Sequence, residues 1–271
     1  KWSYEVRRAE EAPGALRRAL TLARTPPTGP VFLSLPMDLM THVVEDSGAP
    51  GPAVASRSLP DPAALRTAAE ALARAKAPLI VAGDGVARSD AVHELLTVAE
   101  LIGARVYGEP VYRRTNFPGD HPLWRGGLFP SPPGARKALN DADCVLIVGA
   151  SVFTWFQYAA GEPFPPGLTV IQVDDDPREM GKNYVVTQGI VADPKSTLVA
   201  LACEVGGRMT DTARSAARGR VADIAKAKAA YQKGLAQAAE AEKDPAPISP
   251  AYLKQTLARV APDDVVVVDE T

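Results

Sequence analysis

The sequence predicts an α/β fold, a parallel sheet with helices on both faces, and three observations carry that expectation. Short apolar runs of strand length recur between residues 61 and about 205, alternating with segments of helical periodicity. The runs PLIVAG, CVLIVGA and LTVIQV are apolar almost throughout, the pattern of strands buried on both faces. An aspartate or serine followed by proline stands where helices should begin, at Asp61-Pro62, Asp193-Pro194 and Ser249-Pro250.

Taken in order, PGALRRALTLARTPPTGPVFLSLPMDLM predicts a helix, a proline-rich turn and a strand from Val31 to Leu35, one αβ unit too small to enclose a core. Residues 41–60, THVVEDSGAPGPAVASRSLP, have linker composition. Asp61 caps a helix with Leu65 and Leu72 on one face, and PLIVAG follows as a strand. Ser89 is expected to cap a second helix bearing Val92, Leu95, Ala99 and Ile102, ended by Gly103. ARVYGEP is the next strand and GARKALN a short helix. CVLIVGA, LTVIQVDDDP and QGIVADP are three more strands, and Asp193-Pro194 opens a closing helix, KSTLVALACEV. Strands and helices alternating at this spacing imply right-handed βαβ crossovers, and so a Rossmann-like domain over residues 58–206. The Ala- and Lys-rich stretch from Thr210 to Lys243 predicts an exposed helix within a linker, 207–245. ISPAYLKQTLARVAPDDVVVVDET, in residues 246–271, predicts another αβ unit. Leu253, Leu257 and Val260 share one helix face there, and Val265–Val268 form a buried parallel strand.

Composition bounds the function. A formal charge of −2 offers no electrostatic case for nucleic acid or an anionic membrane. No apolar run approaches the ~20 residues of a membrane span, and KWSYEVRRAE has neither an initiator Met nor the pattern of a signal peptide. A cytoplasmic protein is expected. Cys144 and Cys203 lie in apolar contexts and are expected as buried free thiols. His42, His93 and His121 are too scattered for a metal site, and the first two are expected in solvent.

Several motifs invite chemistry. Gly83-Asp84-Gly85, with Asn116 further on, imitates a magnesium motif, but Asn116 is expected in a loop beyond the strand that Gly108 and Glu109 end. The same glycines fit the opening of a dinucleotide site with Glu109 as the ribose acid. Arg88, however, takes the place of the third glycine. The expectation is a tight strand-to-helix turn that binds no nucleotide, with nucleotide binding the alternative. Asp174, Asp175 and Asp176 suggest either a cation site or a helix cap facing water, and the cap is preferred because Pro177 follows. His121 and Arg125 suggest loop packing or a subunit contact.

KWSYEV, GPVFLSLPMDL, DHPLWRGG (Asp120–Gly127), GASVFTWFQY (Gly149–Tyr158), GIVADP and VVVVDET together resemble thiamine diphosphate-dependent enzymes of the benzoylformate decarboxylase type. The resemblance covers nearly the whole chain. It implies that residues 1–45 end a pyrimidine-binding domain, 58–206 form the central domain and 246–271 begin a diphosphate-binding domain. It also implies a parent enzyme whose cofactor adds to a 2-oxo acid and releases carbon dioxide, the protein supplying placement and electrostatics. In that family a glutamate activates the cofactor and a Gly-Asp-Gly…Asn motif holds Mg²⁺ on its diphosphate. Both are expected outside this chain. Thiamine diphosphate and Mg²⁺ are therefore expected in the intact enzyme, neither on this chain alone, and the intact enzyme is expected to be a homodimer or homotetramer. Phe156 stands where the family carries a proton-handling histidine, which makes it a substrate-pocket candidate or simply a core residue. Glu270 and Thr271 resemble the stretch leading to the cofactor's diphosphate. Two alternatives accompany this reading: a carboligase of the acetolactate synthase type, and a stand-alone Rossmann-like nucleotide-binding module.

Overall fold

The computed structural model describes residues 1–271 except 47, 49, 50, 52, 53, 156, 157, 245, 263 and 269–271. The N-terminal unit is β1 (Trp2–Glu5), α1 (Ala12–Arg24) and β2 (Val31–Ser34), with β1 and β2 paired in parallel. KWSYEV is therefore a strand as well as a landmark, and the αβ unit expected here is a βαβ unit.

The central sheet follows. α2 (Pro62–Arg74) starts as expected, with the Asp61 carboxylate accepting from the Ala63 and Ala64 amides at 2.9 Å each. Next come β3 (Pro78–Ala82), α3 (Asp84–Arg88), α4 (Val92–Ile102), β4 (Arg105–Gly108), β5 (Trp124–Gly127), α5 (Pro132–Leu139), β6 (Cys144–Val148), β7 (Thr169–Asp174), β8 (Gln188–Val191) and α6 (Pro194–Arg208). Every pairing is parallel, and the strand order is β5-β4-β3-β6-β7-β8. β3 and β6 are central and buried at every position, which is why their sequences read as unbroken apolar runs. Their residues sort by parity. Ile80, Ala82, Leu146 and Val148 face α2, α4 and α6, whereas Leu79, Val81, Val145 and Ile147 face Leu128, α5 and the loop residues Val152 and Phe153. The second face thus carries a single helix, and the loop after β6 completes its cover.

Some expectations need correction. Ser89 does not cap a long helix. It ends the short α3, and α4 begins only after Ala91, because the chain turns through Asp90 at φ 55°. The segment around WRGG, where Arg125 was expected in a loop or a subunit contact, is the edge strand β5. Cys144 is buried, but Cys203 is exposed, on the side of α6 opposite Leu198, Leu201 and Val205. Val265–Val268 are exposed and join no ladder among the described residues. Four apolar residues form a buried strand only beside partner strands, and among the described residues none pairs with them.

Two helices complete the chain. α7 (Asp211–Ala241) buries only Ala217 and Ala239 within itself. Ala213, Val221 and Ile224 also pack against the core, and polar pins add to that contact. The Arg220 guanidinium donates to Ile102 O at 2.7 Å and Gly103 O at 3.3 Å, the open carbonyls at the end of α4. The Lys228 ammonium donates to the carbonyls of Gly119, Asp120 and His121. α8 (Pro250–Val260) starts at the Ser249 cap. Among the described residues no helix is long and apolar enough to cross a membrane.

Candidate functional site at the carboxyl edge of the sheet

β4 and β5 lead away from β3 on one side, and β7 and β8 lead away from β6 on the other. The connections leaving β3 and β6 therefore diverge, and a crevice opens between their carboxyl ends, the usual ligand position of such sheets. Here the two turns close upon each other. Gly83 N donates to Val148 O at 2.9 Å, and Gly85 N to Gly149 O at 2.8 Å. A Cβ on Gly83 would stand 2.3 Å from Gly149 O, and one on Gly85 2.5 Å from Gly149 Cα. These glycines serve the contact between turns, as the tight-turn expectation required.

Asp84 is equally committed. Its Oδ1 accepts from the amides of Arg113 (2.9 Å) and Arg114 (3.1 Å) and from Asn116 Nδ2 (3.2 Å). Asn116 does lie in a loop, as expected, but that loop folds back onto the Gly-Asp-Gly turn. The contact joins a donor to a saturated acceptor and leaves that oxygen nothing to offer a cation.

Glu109, at the end of β4, bridges the crevice. Oε1 accepts from Asp84 N at 3.0 Å and Oε2 from Ser151 N at 3.2 Å, and the residue is only 7% exposed. Burial pushes its carboxyl up to about 7, with the nearby Asp84 charge adding to the rise. Asp174 is the second buried acid. Its Oδ1 accepts from Asp176 N at 2.8 Å, and burial pushes it too up to about 7. The Asp174–Asp176 run does not cap a helix, since residues 177–183 form turns. Asp174 faces the interior rather than water, because it still belongs to the buried β7. Asp176 closes the turn by pairing with Arg178 at 2.6 Å. Asp84, Arg88, Glu109, Ser151, Asp174 and Glu179 line a cavity of about 300 Å³ above the crevice.

Beyond Ser151 the loop after β6 is aromatic. Phe153 is buried, with its ring centroid 5.5 Å from that of Trp155 and 5.7 Å from that of Phe164. Trp155 Nε1 donates to the Tyr184 hydroxyl at 2.8 Å, and Asn183 Nδ2 to Phe153 O at 3.0 Å. Tyr158 is 94% exposed. Phe153, Trp155, Tyr158, Lys182, Asn183 and Tyr184 border an open recess of about 450 Å³.

Phe156, Glu270 and Thr271, the three residues expected at the site, lie outside the described residues. Sequence reasoning missed the bridging role of Glu109 and the burial of Asp174. An acid that ends a strand directly before Pro110 was the available signal for the first. His121 packs within its loop, its Nδ1 accepting from Leu123 N at 3.3 Å and its ring set edge-on to Phe117, while His42 and His93 are exposed. Among the described residues no group of three or more His, Cys, Asp or Glu is arranged to hold a metal ion.

The family model described as "Thiamine pyrophosphate enzyme, central domain" matches residues 65–201, α2 to α6. This chain belongs to the thiamine pyrophosphate-dependent enzymes. It is 34% identical over 210 residues to a benzoylformate decarboxylase of Pseudomonas aeruginosa, covering 74% of this chain and 38% of that protein. It is 31% identical over 248 residues to a sulfoacetaldehyde acetyltransferase of Rhodobacter capsulatus, covering 90% and 41%. The crystal structure of benzoylformate decarboxylase from Polynucleobacter necessarius superposes with a TM-score of 0.70 at 36% identity, over 76% of this chain and 38% of that one. Acetolactate synthases also match. The chain thus spans about two fifths of the length of these curated relatives.

The family implies thiamine diphosphate. The described residues do not form a site for it. The one Gly-Asp-Gly turn has its Asp84 Oδ1 occupied by three donors, and the backbone amides of Asp84 and Ser151 already serve Glu109.

Proposed function

We propose that this chain is the central portion of a thiamine diphosphate-dependent 2-oxo acid decarboxylase of the benzoylformate decarboxylase type, and that the chain alone is inactive. The observation that carries the proposal is the aromatic loop after β6, which presents Trp155 and Tyr158 along the edge where parallel sheets meet their ligands. In this reading residues 1–45 and 246–271 belong to neighbouring domains that hold the cofactor with Mg²⁺, Glu270 and Thr271 approach its diphosphate, and Phe156 borders the substrate. The intact enzyme is a cytoplasmic homo-oligomer. The chain's own contribution is positional: β6 delivers the loop, and the Phe153–Trp155–Tyr184 cluster stiffens it.

A carboligase or acyltransferase is the second reading, favoured by the 31% identity to the acetyltransferase over 90% of the chain. Expression of the complete reading frame separates the two. A panel of 2-oxo acids, followed for carbon dioxide, free aldehyde and carbon–carbon coupled product, should yield aldehyde as the main product. Coupled or acyl-transferred product in its place would reject the decarboxylase. Turnover by the 271-residue chain itself, above that of thiamine diphosphate in buffer, would reject the claim that the chain is only a portion.

A further inference from the structure

We propose that Glu109 is the positioning residue of the loop after β6: its buried carboxylate clamps Ser151, the third residue of that loop, to Asp84 in the turn after β3, and so fixes where Phe153 and Trp155 stand. The geometry singles it out. Glu109 is the only side chain among the described residues that accepts from the backbone of both turns, at 3.0 and 3.2 Å. The two amides belong to different crossovers, so a ladder hydrogen bond cannot replace the link. Of the loop's other ties, Gly149 O accepts from Gly85 N, those at Ala150 O, Phe153 O and Trp155 Nε1 run to β7 or the β7–β8 connection, and Arg136 of α5 donates to Glu162 O and Phe164 O. Beyond the backbone contact of Gly85 N with Gly149 O, Glu109 is the only side chain among the described residues that joins the loop to the β3–β4 half of the sheet.

The clamp follows the charge of the carboxylate. An ionised carboxylate offers both oxygens as acceptors. A protonated one keeps a single good acceptor, and its hydroxyl faces an N–H donor. Burial holds the carboxyl near 7, so the clamp is complete above neutrality and half-released below it. The charged groups facing Glu109 are Asp84 and Arg88 of α3, Arg113 of the β4–β5 loop, Asp174 at the end of β7, and Asp175 and Glu179 beyond it, with Asp176 held by Arg178. Asp174 titrates in the same range and requires its own control.

Amide hydrogen exchange on the full chain tests the clamp without cofactor or turnover. Its failure is therefore distinct from failure of the decarboxylase reading, on which only the loop's relevance to substrate rests. For local openings that leave Glu109 buried, protection factors, with the intrinsic pH dependence divided out, should rise for Asp84 and Ser151 by about tenfold or more between pH 6 and 8, the size of effect expected of a charged hydrogen bond. Glu109→Gln keeps the shape but has one carbonyl oxygen, so protection should be lower and flat with pH. Asp174→Asn should retain the rise. A flat wild-type profile, or a rise that persists in Glu109→Gln, overturns the proposal. If Glu109→Gln does not fold, the wild-type profile decides alone. A rise that tracks the Glu109 carboxyl ¹³C shift supports the clamp, and a rise independent of it overturns the clamp.

Discussion

Replacing Gly149 by alanine tests whether the crevice is closed by backbone contact. Gly149 has φ +60°, and a Cβ there would stand 2.5 Å from Gly85 Cα, 2.7 Å from Gly85 C and 2.8 Å from Val86 N. Two costs arise. A left-handed conformation costs an L-residue about 1–2 kcal/mol, and forcing an extra carbon into close-packed surroundings costs about 1–3 kcal/mol more. Neither neighbour yields cheaply, because both are backbone and Gly85 N already donates to Gly149 O. The sum is about 2–5 kcal/mol. Gly167 supplies the control: it has φ +80°, and a Cβ there would meet nothing within 4 Å, so Gly167→Ala should cost only about 1–2 kcal/mol. Urea unfolding of both variants, compared at unchanged m-value, reads the difference directly. Equal losses, within about 0.5 kcal/mol, would mean that the turns after β3 and β6 do not touch as described, and the closed crevice would have to be given up.

Titration of the full chain with NAD, FAD or ADP should give no heat, because Glu109 already occupies the two backbone amides that a phosphate would need; micromolar binding of any of them would refute this. Global stability should fall as pH rises. Glu109 and Asp174 have folded pKa values near 7, above the ordinary 4.5 and 3.8, so their contribution is complete below about pH 4, is lost on the way to pH 7 and is level beyond it. Urea midpoints at pH 5 and 8 should show the decline, which Glu109→Gln combined with Asp174→Asn should flatten. In the complete enzyme Phe156→His should change aldehyde yield or product release while leaving thiamine diphosphate affinity nearly unchanged, since a positioned acid is worth about 10²- to 10⁴-fold. Identical single-turnover rates and product ratios across a 2-oxo acid panel would remove Phe156 from the substrate pocket.

The capped helices and the central strands were legible because their signals are local. Asp61, Asp193 and Ser249 cap the helices that their proline neighbours announced, and the apolar runs of β3 and β6 could only be strands buried on both faces. What escaped was set by tertiary contact. WRGG has no strand pattern, and β5 forms because its backbone finds the edge of β4. VVVV has a strong strand pattern and forms no ladder among the described residues, because a strand needs a neighbour. At the site the meaning of Gly83-Asp84-Gly85 depended on what lay opposite. Gly149 and Glu109 are 64 and 24 residues away from Gly85 along the chain, and no local motif reports such a partner.

The same carboxylate therefore acts in two opposed directions. Ionised Glu109 is costly to keep buried, which lowers the stability of the whole domain as pH climbs to 7, yet only the ionised form holds Asp84 and Ser151 together fully. An apolar residue at position 109 would avoid the desolvation cost and leave two amides without acceptors at the point where the turns meet, a loss of about 1–3 kcal/mol for each buried donor. The acid is the arrangement in which those donors are satisfied without any ligand. A crevice that in other sheets of this topology waits for an anion is filled here by the chain itself, and the strand that supplies the anion also fixes the loop carrying Phe153 and Trp155. Closure of the crevice and placement of the aromatic loop are one structural event, so a substitution at Glu109 should disturb both together.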